Sequence, residues 1–253
     1  MLMSTIDFQG GEILAALESQ FKPKVVAKPK PVIKIKNAIV CSFYTSDDYY
    51  KSHGARLRQN LEELGIEVDL REITKKEGED WAAICRKKVG FIAEVCDANP
   101  DKKVFWIDVD CELYSIPDFI LNSTADIIGF QRGFSNPIRI GYENRGRFWE
   151  PCFWGINNTP QARKMIKAAA DFEQVATVRA TDDFFFEEAW RATSPNMTFQ
   201  IIPSNCAVDK GSGSLESHEV FFRFGSSGQV ENFKNKVEQH KGNKANKLLN
   251  PKR

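Results

Sequence analysis

The chain alternates short apolar runs with amphipathic stretches over its first 110 residues. Apolar runs at 38–44 and 104–107, and an alternating run at 66–71, predict three β-strands. Regularly spaced leucines within 55–64 and an apolar stripe within 81–96 predict two intervening helices. The order strand, helix, strand, helix, strand predicts parallel strands joined by right-handed crossovers. In such sheets, ligands bind beyond the carboxyl ends of the strands.

The second half of the chain has a more mixed pattern. Its candidate elements are, in chain order, strand 126–130, strand 153–157, helix 160–172, helix 182–192 and strand 199–202. We therefore predict one α/β domain over residues 37–232. An N-terminal helix and a basic Pro/Lys linker precede it over 1–36, and a basic polar tail follows it over 233–253.

Composition narrows the class of protein. The residues are 42% hydrophobic and 27% charged with a net charge of +1, which is typical of a globular protein and does not demand a nucleic-acid partner. No apolar stretch approaches the roughly 20 residues that span a bilayer, and the N-terminus lacks the pattern of a signal peptide. The six scattered cysteines, without a CxxC pair, favour free thiols in a reducing cytoplasm. We expect a cytoplasmic protein, and its lysine-rich ends raise the hypothesis of peripheral contact with an anionic membrane.

The stretch FWIDVDCEL, from Phe105 to Leu113, places three acids directly after a buried strand. Asp108 and Asp110, at positions i and i+2, can converge on one hard divalent cation such as Mg²⁺ or Mn²⁺. Such a cation would neutralise a diphosphate leaving group. A turn with capping side chains also explains the spacing of the acids. A phosphatase or phosphotransferase with an Asp nucleophile is a further alternative, although its acidic motif normally follows the first strand and here the acids follow the third. The absence of GxGxxG and GxxxxGK[ST] argues against a dinucleotide-binding fold and a P-loop.

Together with the helix before it, this stretch resembles a known family. The run CRKKVGFI at 85–92, followed by VFWIDVDCEL, resembles the donor-binding half of the GT-A-fold nucleotide-diphospho-sugar glycosyltransferases. The Asp-x-Asp motif is part of that resemblance, and the retaining, galactosyltransferase-like branch is most similar. FWGINNTP at 153–160, ATDDFFF at 180–186 and IIPSN at 201–205 resemble later family segments in the same order. The resemblance implies a Rossmann-like GT-A fold with a mixed central sheet flanked by helices.

The resemblance also implies roles at the nucleotide end of a site. Asp108 would face the ribose or the metal, Asp110 would be the firmer metal ligand, and His218 would be a third ligand. Tyr44 and Thr45, at the end of the first strand, would contact the base by stacking and hydrogen bonding. An ordinary strand-to-helix turn and an exposed strand-edge histidine are the competing interpretations. The family's Lys-Pro-Trp ending is absent here.

At the sugar end, the resemblance implies roles for two cations and two acids. Arg86 and Lys88 would lie near the diphosphate or sugar, where cations are suitable, unless they belong to a solvated helix face. Asp182 and Asp183 begin a helix, so capping accounts for one of them. The other would act as general base in an inverting enzyme or shield an oxocarbenium-like centre in a retaining one. Glu150 occupies the position of an acceptor-side Asn of the family.

The expected function is a metal-dependent, hexosyltransferase-like glycosyltransferase of the kind used in polysaccharide biosynthesis. With Mn²⁺ or Mg²⁺, it would move a sugar from a nucleotide-diphosphate donor to a hydroxyl of a glycan, a lipid-linked precursor or a protein. The segment at 134–149, FSNPIRIGYENRGRFW, is either an acceptor platform or a surface excursion. Two alternatives stay open. One is a sugar-1-phosphate nucleotidyltransferase, which needs a glycine-rich phosphate loop; the other is a non-catalytic sugar-binding or partner-binding module of the same fold.

Overall fold

The computed structural model describes residues 35–131, 148–178, 180–203, 206–208 and 220–225. The predicted N-terminal helix, nearly all of the linker, the segment 132–147, His218 and the tail lie outside the described residues. The described elements are, in chain order, β1 (Ile35–Thr45), α1 (Asp48–Glu63), β2 (Ile66–Ile73), α2 (Trp81–Ala98), β3 (Lys103–Ile107), β4 (Glu112–Leu113), α3 (Asp118–Leu121), β5 (Ile127–Gln131), β6 (Trp149–Ile156), α4 (Pro160–Val175), α5 (Asp182–Thr193), a 3₁₀ turn (Ser194–Asn196), β7 (Phe199–Ile202), β8 (Ala207–Val208) and β9 (Phe222–Arg223).

A six-stranded sheet in the order β2-β1-β3-β6-β5-β7 forms the centre of the fold. β1 pairs in parallel with β2 and β3, whereas β6 runs antiparallel to β3 and β5. The carboxyl ends of β1, β2 and β3 and the start of β6 therefore meet at one edge of the sheet. A second sheet of three short strands has the order β4-β9-β8. These observations confirm the predicted α/β fold with a mixed central sheet flanked by helices.

The core lies on both faces of the central sheet. All five residues of β3 are buried, as expected for a strand covered on both sides. One cluster of buried side chains joins the sheet to α1 and the small sheet, and a second joins it to α2, α4 and α5. None of the described helices combines the length and apolarity that a bilayer-spanning helix needs.

Helix α1 and strand β6 begin well before the residues that the hydrophobic pattern predicts. Helix α1 starts at Asp48 rather than at residue 55, because the Asp47 carboxylate caps it by accepting a hydrogen bond from the Tyr50 backbone N–H at 3.1 Å. Strand β6 starts at Trp149 rather than at residue 153. Its first backbone N–H is bound by the buried Glu187 of α5, at 2.9 Å. Both starts are therefore set by polar contacts rather than by apolar periodicity.

Candidate functional site

A cavity of about 590 Å³ opens at the edge of the sheet where β1, β2 and β3 end and β6 begins. Its volume lies within the range of small-molecule sites in proteins. The cavity brings together Tyr44, Thr45, Lys88, Asp108, Asp110, Asp182 and Asp183 among the residues predicted from the sequence. Its charged lining consists of six carboxylates and two ammonium groups: Asp47, Asp108, Asp110, Glu150, Asp182 and Asp183, with Lys75 and Lys88. An anionic ligand in this cavity therefore needs additional positive charge.

Lys88 links the acids that follow β3 to the acids that begin α5. Its Nζ lies 2.8 Å from Asp108 Oδ1 and 2.7 Å from Asp182 Oδ2, and donates to the Pro151 carbonyl oxygen at 3.1 Å. Lys88 thus donates hydrogen bonds to Asp108 and to the Pro151 carbonyl oxygen, and forms a close ion pair with Asp182. Burial disfavours the charged form, but the Asp108 and Asp182 carboxylates outweigh it and raise the pKa of Lys88 above its usual range. Lys88 is therefore a fixed cation at the floor of the cavity.

Asp108 is held from several directions at the end of β3. Its Oδ1 accepts hydrogen bonds from Lys88 Nζ and from the indole N–H of Trp106, each at 2.8 Å. Its backbone N–H donates to the Cys152 carbonyl oxygen at 3.0 Å. Burial raises the pKa of the Asp108 carboxyl, as do the neighbouring Asp110 and Asp182 carboxylates, against the opposing effect of Lys88. The orientation of the Asp108 carboxylate is therefore defined, because its Oδ1 accepts both of these hydrogen bonds.

The carboxylates of the Asp-x-Asp motif suit a cation whose shell the substrate completes. Among the described residues, no group of three or more His, Cys, Asp or Glu side chains is arranged to hold a metal. Mg²⁺ is commonly bound by one or two carboxylates, with phosphate oxygens and water as the remaining ligands. Asp110 and the second oxygen of Asp108 fit that donor set. The predicted third ligand, His218, lies outside the described residues, so its role stays a prediction.

The Asp110 carboxylate packs directly against the backbone of Gly225. A Cβ atom added at Gly225 would lie 2.2 Å from Asp110 Cγ and Oδ2, which is far inside van der Waals contact. The segment that contains β9 therefore approaches the Asp-x-Asp turn as closely as only glycine allows. Gly225 thus fixes the place of a proposed metal ligand without carrying a functional group.

We expect Gly225→Ala to displace the Asp110 carboxylate and to weaken metal-dependent ligand binding in this cavity. Isothermal titration with Mn²⁺ and a nucleoside diphosphate should show at least a tenfold loss of affinity, since about 1.4 kcal/mol corresponds to tenfold. Gly90→Ala is the matched control, because a Cβ atom at Gly90 meets no other atom within 4 Å. Unchanged affinity in Gly225→Ala would contradict the assigned place of Asp110.

Tyr44 and Thr45 lie where the sequence places them, at the end of β1 on the cavity wall. The Tyr44 ring rests on Gly54 of α1, where an added Cβ would come within 2.6 Å of two ring carbons. The Thr45 hydroxyl donates a hydrogen bond to Asp47 Oδ2. The half-buried Tyr44 ring is therefore backed by helix α1 and can present its other face to a flat ligand.

The two acids at the start of α5 have different environments. The Asp182 side chain is only 6% exposed and is paired with Lys88. Asp183 accepts a hydrogen bond through Oδ1 from the Thr181 hydroxyl. Both carboxylates line the cavity, but each already has a protein partner.

Arg86 does not line the cavity, although it lies only two residues before Lys88. Its guanidinium group forms an ion pair with Glu173 and donates to the carbonyl oxygens of Glu173, Ala176 and Val178. It also lies over the Phe185 ring, with Cζ 5.1 Å from the ring centroid. Arg86 therefore fastens α2 to the end of α4 and to the segment that leads into Asp182.

Replacing Arg86 with glutamine should destabilise the protein by about 2 kcal/mol, because hydrogen bonds to charged groups typically contribute 1.5–3 kcal/mol. Urea unfolding measures this change. Lys87→Gln is the control, since Lys87 forms a partly exposed ion pair with Glu79 and such surface pairs contribute about 0–1 kcal/mol. Equal stability of the two variants would contradict the structural role of Arg86.

The sequence predicts Lys88 as a site residue but not the three apolar residues of α2 that line the cavity with it. Trp81, Ile84, Cys85 and Lys88 share one face of α2 at positions i, i+3, i+4 and i+7, and all four line the cavity. The first three belong to the apolar stripe that predicts the helix. Lys88 interrupts that stripe one turn after Ile84 and Cys85, and a charged residue in line with apolar ones is the signal in the sequence that points to this wall.

The comparisons with known proteins bear on the fold. No family model matches the sequence, and no curated protein matches it. Among solved structures, the chain is similar to a glycosyltransferase involved in the glycosylation of the major capsid of PBCV-1. The TM-score is 0.53 at 10% sequence identity, and the match covers 81% of this chain and 99% of that chain. At this identity, the likeness establishes a GT-A-like fold, as the resemblance of the Asp-x-Asp region implies.

Proposed function

We propose that the protein is a glycosyltransferase that takes a nucleotide-diphosphate sugar as donor and a hydroxyl group of a glycan, a lipid-linked precursor or a protein as acceptor. The observation that carries this proposal is the convergence of the Asp108 and Asp110 carboxylates, the Lys88–Asp182 pair and the Tyr44 ring in one cavity. The GT-A-like fold supports it, because ligands of such sheets bind at this edge.

The strand order supports an orientation for the donor. Along the edge of the sheet, β1 lies between β2 and β3, and β6 follows β3. A base stacked on Tyr44 at β1 would place the diphosphate beside Asp108 and Asp110 at β3. The sugar would then lie toward β6 and the start of α5, where Asp182 and Asp183 are.

The charges of the cavity support a donor that binds together with a divalent cation. Asp110 and Asp108 would hold Mn²⁺ or Mg²⁺, which would supply charge neutralisation for the diphosphate leaving group. Lys88 and Trp106 fix the orientation of Asp108, and Gly225 fixes that of Asp110. The Lys88 ammonium group lies between Asp108 and Asp182 and offsets the electrostatic repulsion between their carboxylates.

The turn after β1 weighs against the nucleotidyltransferase alternative. A phosphate loop would direct backbone N–H groups at a helix N-terminus toward phosphate oxygens. In this chain the N-terminus of α1 is capped by the carboxylate of Asp47, which also accepts a hydrogen bond from the Thr45 hydroxyl. A negatively charged cap at that place opposes phosphate binding.

Donor cleavage tests the proposal directly. The protein is incubated with Mn²⁺ and with UDP-glucose, UDP-galactose, UDP-N-acetylglucosamine or GDP-mannose, and release of the nucleoside diphosphate is measured with water or a methyl glycoside as acceptor. We expect release from at least one donor and its loss in EDTA. No release from any donor would contradict the proposal, and pyrophosphate released from a nucleoside triphosphate and a sugar phosphate would favour the nucleotidyltransferase.

A further inference from the structure

Strand β6 is irregular over residues 150–152, all three of which line the cavity. The β6 partners of Gly129 and Gln131, two neighbours but one on β5, lie five residues apart, at Trp154 and Trp149. The pairing of β6 with β3 also stops before this stretch. Within the described part of the chain, residues 150–152 therefore have no partner in either neighbouring strand. We call this stretch the β6 bulge, since extra residues of this kind redirect the backbone and are common beside active sites.

The β6 bulge directs two backbone carbonyl groups to the acidic end of the cavity. The Pro151 carbonyl oxygen accepts a hydrogen bond from Lys88 Nζ at 3.1 Å. The Cys152 carbonyl oxygen accepts one from the Asp108 backbone N–H at 3.0 Å. Proline suits a bulge because it has no N–H to donate to a neighbouring strand. The placement of Lys88 and of Asp108 therefore depends on the path of the bulge.

Glu187 of α5 anchors the residues that lead into the bulge. Its Oε1 accepts hydrogen bonds from the backbone N–H groups of Phe148 and Trp149, at 2.7 and 2.9 Å. Hydrogen bonds to an ionised carboxylate are stronger than those between neutral groups. Because Trp149 directly precedes the bulge, this carboxylate fixes the point at which the backbone leaves the regular sheet.

The burial of the Glu187 carboxylate is not explained by packing. The residue is 2% exposed, and among the described residues its Oε2 has no hydrogen-bond partner. Arg191 Nη2 lies 3.7 Å from that oxygen, beyond hydrogen-bond distance. A buried acid is costly unless it is paired, so an apolar residue would suit this place better if packing were its only role. Glu187 connects the helix that begins with Asp182 and Asp183 to the bulge.

We propose that Glu187 is a positioning residue of the donor site, an inference that rests on the proposed function. By anchoring the β6 bulge, it sets the placement of Lys88 and Asp108, and through them the affinity for a divalent cation and for the donor diphosphate. Glu187 does not line the cavity and touches neither ligand. It acts through the two N–H groups that it binds and through the two carbonyl oxygens of the bulge.

Glu187→Met tests this role, because methionine has a similar length but cannot accept the two backbone hydrogen bonds. We expect affinity for Mn²⁺, measured by electron paramagnetic resonance, to fall by about 10- to 100-fold, the range found for residues that orient metal ligands. Affinity for UDP or GDP with Mn²⁺ present, measured by titration calorimetry, should fall with it. Glu187→Gln should restore most of both affinities, since its amide oxygen can accept the same two bonds.

Asp126→Leu is the matched control for a loss of stability alone. Asp126 is also a buried acid, 6% exposed, and its Oδ2 accepts a hydrogen bond from the Thr198 backbone N–H at 2.7 Å. It directly precedes β5, whose first residue pairs with the last residue of β6, so it lies at the edge of the sheet opposite the cavity. Asp126→Leu should destabilise the protein, but its affinities should match the wild type at a temperature where circular dichroism shows it folded.

Amide hydrogen exchange gives a readout that needs neither cation nor donor. Peptides that contain residues 148–152 and Asp108 should exchange faster in Glu187→Met than in Asp126→Leu, because loss of the anchor frees the bulge locally. If Glu187→Met does not fold, Glu187→Asp takes its place. Its carboxylate is one methylene shorter and cannot bind both N–H groups in the same position, so the same direction of change is expected.

The outcomes distinguish this inference from the proposed function. A wild-type protein that binds no nucleoside diphosphate with Mn²⁺ overturns the proposed function, and this inference with it. A wild-type protein that binds both ligands, with equal affinities in Glu187→Met, overturns the role of Glu187 alone. Equal losses in Glu187→Met and Glu187→Gln, or in Glu187→Met and Asp126→Leu, also overturn it, since neither result requires the two backbone hydrogen bonds.

Discussion

Lys88→Met should abolish donor cleavage and destabilise the protein by about 3–5 kcal/mol, the range found when one partner of a buried ion pair is removed. The reason is that Asp108 and Asp182 would lie near each other without the cation that both contact at 2.7–2.8 Å. Methionine fills a similar volume but supplies no donor to these carboxylates or to the Pro151 carbonyl oxygen. Urea unfolding measures the stability, and nucleoside diphosphate release measures the activity.

The double variant Lys88→Met/Asp182→Asn separates the two effects of this change. Removing one of the two facing carboxylates should recover part of the lost stability, because the repulsion is relieved. Activity should not return, since the cation that orients Asp108 is still missing. A single Lys88→Met variant with wild-type stability and activity would refute the role of Lys88 as the link between β3 and α5.

Asp110→Asn should remove metal-dependent donor cleavage while leaving the fold intact. An amide has nearly the shape of the carboxylate but lacks its charge, and a metal-stabilised leaving group contributes several kcal/mol. We therefore expect a loss of roughly a hundredfold or more in kcat/KM. Circular dichroism and urea unfolding should show little change, because Asp110 lies at the cavity surface rather than in the core.

Asp118→Asn is a suitable control for this variant. Asp118 is an exposed acid in the first turn of α3 and does not line the cavity. It should keep full activity with the same change of charge. Full activity of Asp110→Asn, or of the wild-type protein in excess chelator, would contradict a metal-dependent mechanism.

The elements that position the site follow from local patterns. The apolar run before Asp108 predicts a strand buried on both faces, and β3 is buried throughout. The stripe from Trp81 onward predicts α2, which begins at Trp81 and ends at Ala98. Because strands and helices alternate, the parallel order of β1, β2 and β3 follows from short-range information as well.

The contacts between side chains of the site depend on the tertiary fold, so local sequence patterns do not predict them. Helical spacing places Lys88 in line with Trp81, Ile84 and Cys85, but nothing local shows that this face, rather than the one with Arg86, lines a cavity. The crossing of α2 over the sheet directs Lys88 to Asp108 and Asp182, and Arg86 to the end of α4. Glu150 likewise reaches the cavity only because the antiparallel β6 begins beside the end of β3.

A thermal-shift measurement with Mn²⁺ and nucleotide sugars shows whether a cation-dependent donor site exists at the Asp-x-Asp carboxylates. A donor at about 100 times its dissociation constant stabilises the native state by about 2.7 kcal/mol. For a chain of this size, that corresponds to a rise in Tm of about 5–10 °C. We predict this rise for at least one donor in the wild-type protein, and its loss in EDTA and in Asp110→Asn. No rise with any nucleotide sugar, or an equal rise in Asp110→Asn, would contradict such a site.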